Sequence, residues 1–147
     1  MHRIHINIGS NQGDRKALIG RAVALLVRAF SPARLRLSSY IESEPWGYSS
    51  PNPFLNLGVM IDIDHEIHPE QALSLALAVE KEVGKGTPHR NPDGTYCDRP
   101  IDIDLITFDN IEYNSPTLTL PHPRATQRPF VLTPLKELEP ENHILKS

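Results

Sequence analysis

Hydrophobic and polar positions alternate along "RIHINIGS", with Ile4, Ile6 and Ile8 on one face and His5 and Asn7 on the other. This two-residue period predicts a half-buried strand that Gly9 ends. Turn formers crowd "GSNQGDR", and Asp14 is placed to cap a helix running to about Phe30, with Leu18, Ala22, Leu25, Leu26 and Ala29 as its apolar stripe. Beyond Pro32, Leu35, Leu37, Ser39 and Ile41 resume the alternation as a second strand, and "SEPWGYSSPNP" follows as a long loop. Leu55, Leu57, Val59, Ile61 and Ile63 make the third strand, while Asn56 points the other way. His68 and Pro69 open a second helix that turns Ala72, Leu75, Ala76, Val79 and Val83 inward and stops at Gly84. The stretch "KGTPHRNPDGTYCDR" has no period and reads as an irregular loop, and "PIDIDLITF" is the fourth strand. In "RPFVLTPLKEL", Phe130, Val131, Leu135 and Leu138 predict a further short helix.

Strand, helix, strand, strand, helix, strand is the order of an α+β, ferredoxin-like βαββαβ core: a mostly antiparallel sheet with helices packed on one face, here followed by a C-terminal extension. At 147 residues the chain is expected to form a single domain, 1–147. Hydrophobic residues at 39% and charged residues at 22% argue against disorder and against a coiled coil. A net charge of -3, with no basic helix, argues against nucleic-acid binding. No apolar run reaches membrane-spanning length, so the cytoplasm is the expected compartment, and the single cysteine, Cys97, precludes an intrachain disulfide. Composition changes the picture in one respect. Of fourteen prolines, eleven gather in segments 45–53, 88–100 and 116–134, and proline-bearing loops in a small protein are often where function sits.

The fourth strand carries the candidate chemistry. Asp102 and Asp104 are two residues apart, which puts both on one face with Cα atoms about 6.5–7 Å apart. Two such carboxylates repel, so a cation belongs between them. Arginine or lysine on an open face could serve without any metal. Ile106 and Phe108, expected on the same face, make it a partly covered one, which favours a hard oxygen-ligand cation such as Mg²⁺. "GKGT" at 84–87 follows a helix where a phosphate loop would follow a strand, and no Rossmann fingerprint is present. Phosphates would then be held by side chains, and the candidates are Lys85, His89, Arg90, Arg99, His122, Arg124 and Arg128.

These residues resemble the 6-hydroxymethyl-7,8-dihydropterin pyrophosphokinases of folate biosynthesis. The resemblance is carried by "GSN", "EPWG" followed by "FLN", "RPIDIDLI" and "LPHPRATQRPFVLTPL", in that order along almost the whole chain. It implies transfer of the β,γ-diphosphate of ATP to the hydroxymethyl group of the reduced pterin, leaving AMP, by a protein expected to act as a monomer. Carried over residue by residue, the resemblance makes Asp102 and Asp104 ligands of two Mg²⁺ ions and Arg99 and Arg128 phosphate contacts. His122 and Glu80 fall at the nucleotide, Glu80 on the ribose side. Phe54 and Phe130 sandwich the pterin, Asn56 reads its edge, and Ser43, Trp46 and Gly47 lie in the loop that contacts it.

Without the resemblance, Phe54 and Phe130 read as core residues, Glu80 as an exposed helix position, and Trp46 as part of a lid. Two other functions fit the pattern more loosely: a metal-dependent phosphohydrolase, and a ligand-sensing module without catalysis. Before the aspartate pair the family pattern has an aromatic residue, a glycine, a small residue and the arginine. Here Tyr96, Cys97 and Asp98 precede Arg99, so a negative charge stands beside the phosphate-binding arginine. Glu44 and Pro123 also depart from the pattern. The loops at 9–14, 44–53 and 85–99 are expected to surround the site and to order over ATP.

Overall fold

A computed structural model describes residues 1–45, 50–85 and 98–146. Strand β1 (His2–Ser10) runs through Gly9, which pairs with a neighbour on each side, Asn56 and Asp102, and so continues the ladder instead of ending it. Asp14 Oδ1 accepts from the Ala17 amide at 3.2 Å and caps helix α1 (Arg15–Phe30). The buried stripe of α1 is Ile19, Ala22, Leu26 and Phe30, with Leu18, Leu25 and Ala29 at its margin, so the helix is rotated slightly from the predicted face.

The expected second strand is broken into β2 (Arg34–Leu37) and β3 (Ile41–Ser43), both paired with β4 (Phe54–Ile63). Leu37 lies opposite Val59 and Ile41 opposite Asn56, which leaves one more residue on the outer strand than on β4, a bulge. Ser38 holds this break: its amide donates to Gly58 O at 2.9 Å and its Oγ accepts from Gly58 N at 2.7 Å. Helix α2 (Pro69–Val83) starts in a capping box, with His68 Nδ1 accepting from Glu70 N and Gln71 Oε1 accepting from His68 N. After strand β5 (Asp102–Phe108) comes a small hairpin of β6 (Tyr113–Asn114) and β7 (Thr119–Leu120) that the hydrophobic pattern does not predict. Hydroxyls of Tyr113, Ser115 and Thr117 all donate to the Glu70 carboxylate and fasten this hairpin to the start of α2. Helix α3 (Pro129–Leu138) follows as expected.

The sheet order is β2-β4-β1-β5, with β3 extending the β2 edge, and every pairing is antiparallel, the ferredoxin-like arrangement predicted from the sequence. Ile4, Ile6 and Ile8 meet Leu57, Val59, Ile61, Ile103 and Leu105 on the face covered by α1 and α2, forming the main core. Helix α3 covers part of the opposite face. A Cβ built on Gly58 would stand 2.5 Å from Pro134 Cβ and 3.3 Å from Leu138 Cδ1, so α3 can lie this close to β4 only because residue 58 is a glycine. With both faces covered, β4 is buried at every position from Phe54 to Ile63.

A second bulge corrects one expectation. The β1–β5 register shifts between Ile6, opposite Leu105, and His5, opposite Thr107, which leaves Ile106 as the extra residue. Ile106 stays on the α3 face, packed with Val131 and Leu135, but Phe108 is turned to the main core opposite Ile4. At this far end of the α3 face, Arg3 pairs with Asp62 at 2.7 and 3.0 Å and with Glu139, which also meets His5 Nε2 at 3.1 Å. No helix of the described residues is long and apolar enough to cross a membrane.

Candidate active site

Three adjacent strands, β4, β1 and β5, lay a polar floor at the other end of the α3 face. Directly paired residues of antiparallel strands share a face. One row of the floor is therefore Asn56, Gly9 and Asp102, and the next is Gly58, Asn7 and Asp104. The bulge lies beyond both rows, so Asp102 and Asp104 keep the period-two relation read from the sequence and stand side by side. Above this floor is a cavity of about 240 Å³.

The cavity gathers Arg99, Asp102, Asp104, His122 and Arg128 at one end and Ser43, Phe54, Asn56 and Phe130 at the other. Glu80 is the one described residue of the expected site that does not line it. Trp46 and Gly47 lie outside the described residues, as do His89 and Arg90. Of the other basic candidates, Lys85 and Arg124 are exposed and do not line the cavity.

Arg99 Nη1 donates to Asp102 Oδ1 at 3.2 Å, and Arg128 Nη1 stands 4.0 Å from Asp104 Oδ2. The arginines thus partly balance the carboxylates, yet Asp102 and Asp104 remain 23% and 29% exposed beside the cavity. Burial pushes the Asp104 carboxyl above its usual range, and nearby Glu80 adds to this, while Arg128 and Arg99 pull the other way. A carboxylate so placed gains from added positive charge. No group of three His, Cys, Asp or Glu side chains able to hold a metal occurs among the described residues. Two aspartates open to a cavity suit a hard cation whose other positions go to water and a phosphate-bearing ligand, and a closed protein cage is not needed for that.

His122 carries no charge at neutral pH. Burial, with Arg128 and Arg124 close by, lowers its ring to about 4, and Nδ1 accepts from the Arg124 amide at 3.2 Å, leaving Nε2–H as the ring's donor. An unfolded histidine titrates near 6.5. The unfolded chain therefore takes up a proton that the folded chain refuses, so this residue's share of stability is complete above pH about 6.5 and is lost as pH falls towards about 4. His122→Asn is expected to flatten the fall in melting temperature between pH about 7 and 4.5. Parallel melting curves for the two proteins across that range would contradict it.

Glu80 is 6% exposed, which corrects the reading of an ordinary surface position. Its Oε2 accepts from the Ile103 amide at 2.7 Å, meeting the outward N–H of β5, the outermost strand on this side of the sheet. It borders a second cavity that shares Arg99, Asp102, Asp104 and His122 with the first and continues past Leu73 and Leu77 of α2 to Leu118 of the hairpin.

The charge of Asp98 is spent locally. Its carboxylate accepts from Asn11 Nδ2 at 2.8 Å, Ser50 Oγ at 3.1 Å and Asn52 Nδ2 at 2.6 Å, tying the three loops expected around the site. Asn11 in turn grips Arg99 by its backbone, accepting from Arg99 N at 2.8 Å and donating from its own amide to Arg99 O at 3.1 Å.

At the other end Asn56 Nδ2 donates to Ile41 O at 3.1 Å and Ser43 Oγ at 2.8 Å. A Cβ on Gly9 would stand 3.1 Å from Asn56 Oδ1 and 3.2 Å from Phe54 Cδ1, so the bare glycine keeps the floor between them clear. Phe130, on the first turn of α3, is half-buried with the Arg128 guanidinium 5.7 Å from its ring centre. Neither phenylalanine is buried on all sides in the core: both line the cavity. Sequence reasoning missed Asn7 and Gly9 as parts of this floor, although alternation had already placed Asn7 on the polar face.

The ferredoxin-like sheet sets a cluster of carboxylates and guanidinium groups beside two phenylalanines, an arrangement suited to an enzyme that handles polyphosphate next to a flat ring. The family model described as 7,8-dihydro-6-hydroxymethylpterin-pyrophosphokinase matches residues 5–140. The chain belongs to this family, the pyrophosphokinases of folate biosynthesis. It is 38% identical over 141 residues to the 2-amino-4-hydroxy-6-hydroxymethyldihydropteridine pyrophosphokinase of Porphyromonas gingivalis, covering 95% of this chain and 92% of that one. The Bacillus subtilis protein of the same name is 34% identical over 134 residues, covering 91% and 76%. Among solved structures, the Plasmodium falciparum HPPK-DHPS A437G with SDX-DHP superposes with a TM-score of 0.69 at 14% identity, and bears on the fold alone. The match covers 95% of this chain and 42% of that one.

Proposed function

We propose that this protein transfers the β,γ-diphosphate of ATP to the hydroxymethyl group of 6-hydroxymethyl-7,8-dihydropterin in the first cavity, with the nucleoside in the second. The observation that carries the reading is the joining of the two cavities at Arg99, Asp102, Asp104 and His122. One space has aromatic walls and an amide on its floor, the other has the apolar side chains of Leu73, Leu77 and Leu118, and charged groups lie where they meet.

Phe54 and Phe130 offer faces to a flat ring, and Asn56 offers Oδ1 to its polar edge, Nδ2 being held by Ile41 and Ser43. Asp102 and Asp104 would hold Mg²⁺, two ions on this reading, which supplies charge neutralisation along the triphosphate. Arg99 and Arg128 add fixed positive charge to the same end, and the neutral His122 adds a hydrogen-bond donor without further charge. Glu80 keeps the edge of β5 in place beside the nucleoside. In the reaction the hydroxymethyl oxygen attacks the β-phosphorus and loses its proton to water, the bond from that phosphorus to the oxygen bridging to the α-phosphate breaks, and AMP leaves with that oxygen. Little covalent work falls to the protein, whose task is position and charge. The cytoplasm is where a protein of this activity would meet both reactants.

With ATP, Mg²⁺ and the reduced pterin, the expected outcome is AMP and pterin diphosphate in equal amounts. Release of ADP or inorganic phosphate in place of AMP would contradict the reading and favour hydrolysis.

A further inference from the structure

Asn7 occupies the middle of the cavity floor, on the central strand β1, with Asp104 directly opposite on one side and Gly58 on the other. It is 5% exposed, and its Oδ1 is buried with no hydrogen-bond partner among the described residues. On the same strand face, His5 meets the Glu139 carboxylate at 3.1 Å, and Thr107 Oγ1, opposite His5 on β5, is the other buried side-chain oxygen left without a partner among the described residues. A buried amide oxygen without a donor is destabilising, and a valine in a central strand would avoid that cost. Asn7 lines the cavity, so a modest turn of its side-chain amide would bring this oxygen to a donor arriving there.

The pterin reading identifies that donor. A ring lying over the bare Cα of Gly9, between Phe54 and Phe130 and with its polar edge at Asn56, directs its other end across the floor towards the aspartates. Asn7 borders that path, diagonal to Asn56 and beside Asp104. Of the groups on the pterin, the hydroxymethyl O–H is the one carried to that end. We propose that Asn7 is a positioning residue whose Oδ1 accepts a hydrogen bond from the hydroxyl that is to receive the diphosphate. The bond fixes the C–O rotor so that one oxygen lone pair faces the polyphosphate. This inference rests on the pterin reading of the cavity.

Binding can be measured by calorimetry in the presence of Mg²⁺ and a nonhydrolysable ATP analogue, with 6-hydroxymethylpterin and 6-methylpterin as probes, since the second lacks only the hydroxyl. The parent protein should prefer the hydroxymethyl compound by about tenfold, in line with one hydrogen bond to an otherwise unmet buried acceptor. Asn7→Ala and Asn7→Val should lose that preference, keep the 6-methylpterin affinity, and melt at the same or a higher temperature than the parent. Equal losses for both probes would assign Asn7 to the ring or to the cavity's shape and overturn the proposal. A preference that survives in both variants would overturn it too. If the parent protein binds neither compound, the pterin reading itself falls and this role with it. Binding of both with no preference removes only the role of Asn7.

Discussion

Asp104→Asn is expected to lower turnover by about 10³-fold or more while the protein melts at the same or a higher temperature. The two halves of this result have one cause. Asp104 is pushed towards its protonated form by burial, with Glu80 adding to this, so a negative charge there is disfavoured by its surroundings. For an acid whose folded value lies above its unfolded value, the folded state binds the extra proton, and the charge weighs against folding as pH rises through that window. An asparagine of the same shape removes this opposition and with it the negative charge that a divalent ion needs. Asp102→Asn should lose activity comparably, but without the gain in stability, because Asp102 is paired with Arg99 at 3.2 Å. Steady-state rates and melting curves on the three proteins check both halves. Near-parental turnover in either variant would remove the aspartate pair from the chemistry, and a large fall in melting temperature for Asp104→Asn would contradict the electrostatic reading.

Gly58→Ala is expected to cost about 1–3 kcal/mol and to weaken pterin binding at the same time. The added methyl would stand 2.5 Å from Pro134 Cβ and 3.2 Å from Ser38 Oγ, and neither neighbour is the loose end of a long side chain. Helix α3 must move off β4. Pro134 lies one turn after Phe130, and Arg128 immediately precedes the helix, so displacement at Pro134 reaches both the aromatic slot and the charged end of the cavity. A fall in melting temperature of about 5–10 °C is expected together with loss of pterin affinity. Gly20→Ala is the matched control: nothing lies within 4 Å of the added methyl, and an alanine inside α1 should stabilise by roughly 0.5–1 kcal/mol. Similar behaviour of the two variants would show that Gly58 does not govern the docking of α3.

What the sequence made legible was what repeats locally. The period-two runs of β1, β4 and the start of β5 fixed which residues share a face, so Asp102, Asp104, Asn56 and the isoleucines of β1 could be placed without coordinates. Alternation failed where a bulge shifted its phase. Ile106 took the extra position, and Phe108 went to the opposite face from the aspartates. The split between β2 and β3 has the same origin, an outer strand with one residue more than its partner, which only the paired sequence reveals. Glu80 looked like a solvated helix position because its partner, the Ile103 amide, is 23 residues away and is a backbone group that any residue would carry. Asp98 looked like an electrostatic intruder for a similar reason: Asn11, Ser50 and Asn52 are distant in the chain and are brought to it by the loops. The family resemblance supplied the phenylalanines, whose neighbours in sequence say nothing about a cavity.

Manganese binding tests the central claim most directly. Titration of Mn²⁺ into the protein with a nonhydrolysable ATP analogue, followed by electron paramagnetic resonance, should report tightly held ions in the parent protein and their loss in Asp102→Asn and Asp104→Asn, with the fold intact in all three. Ions held equally tightly by the parent and both variants would mean that the paired carboxylates on β5 are not the cation site.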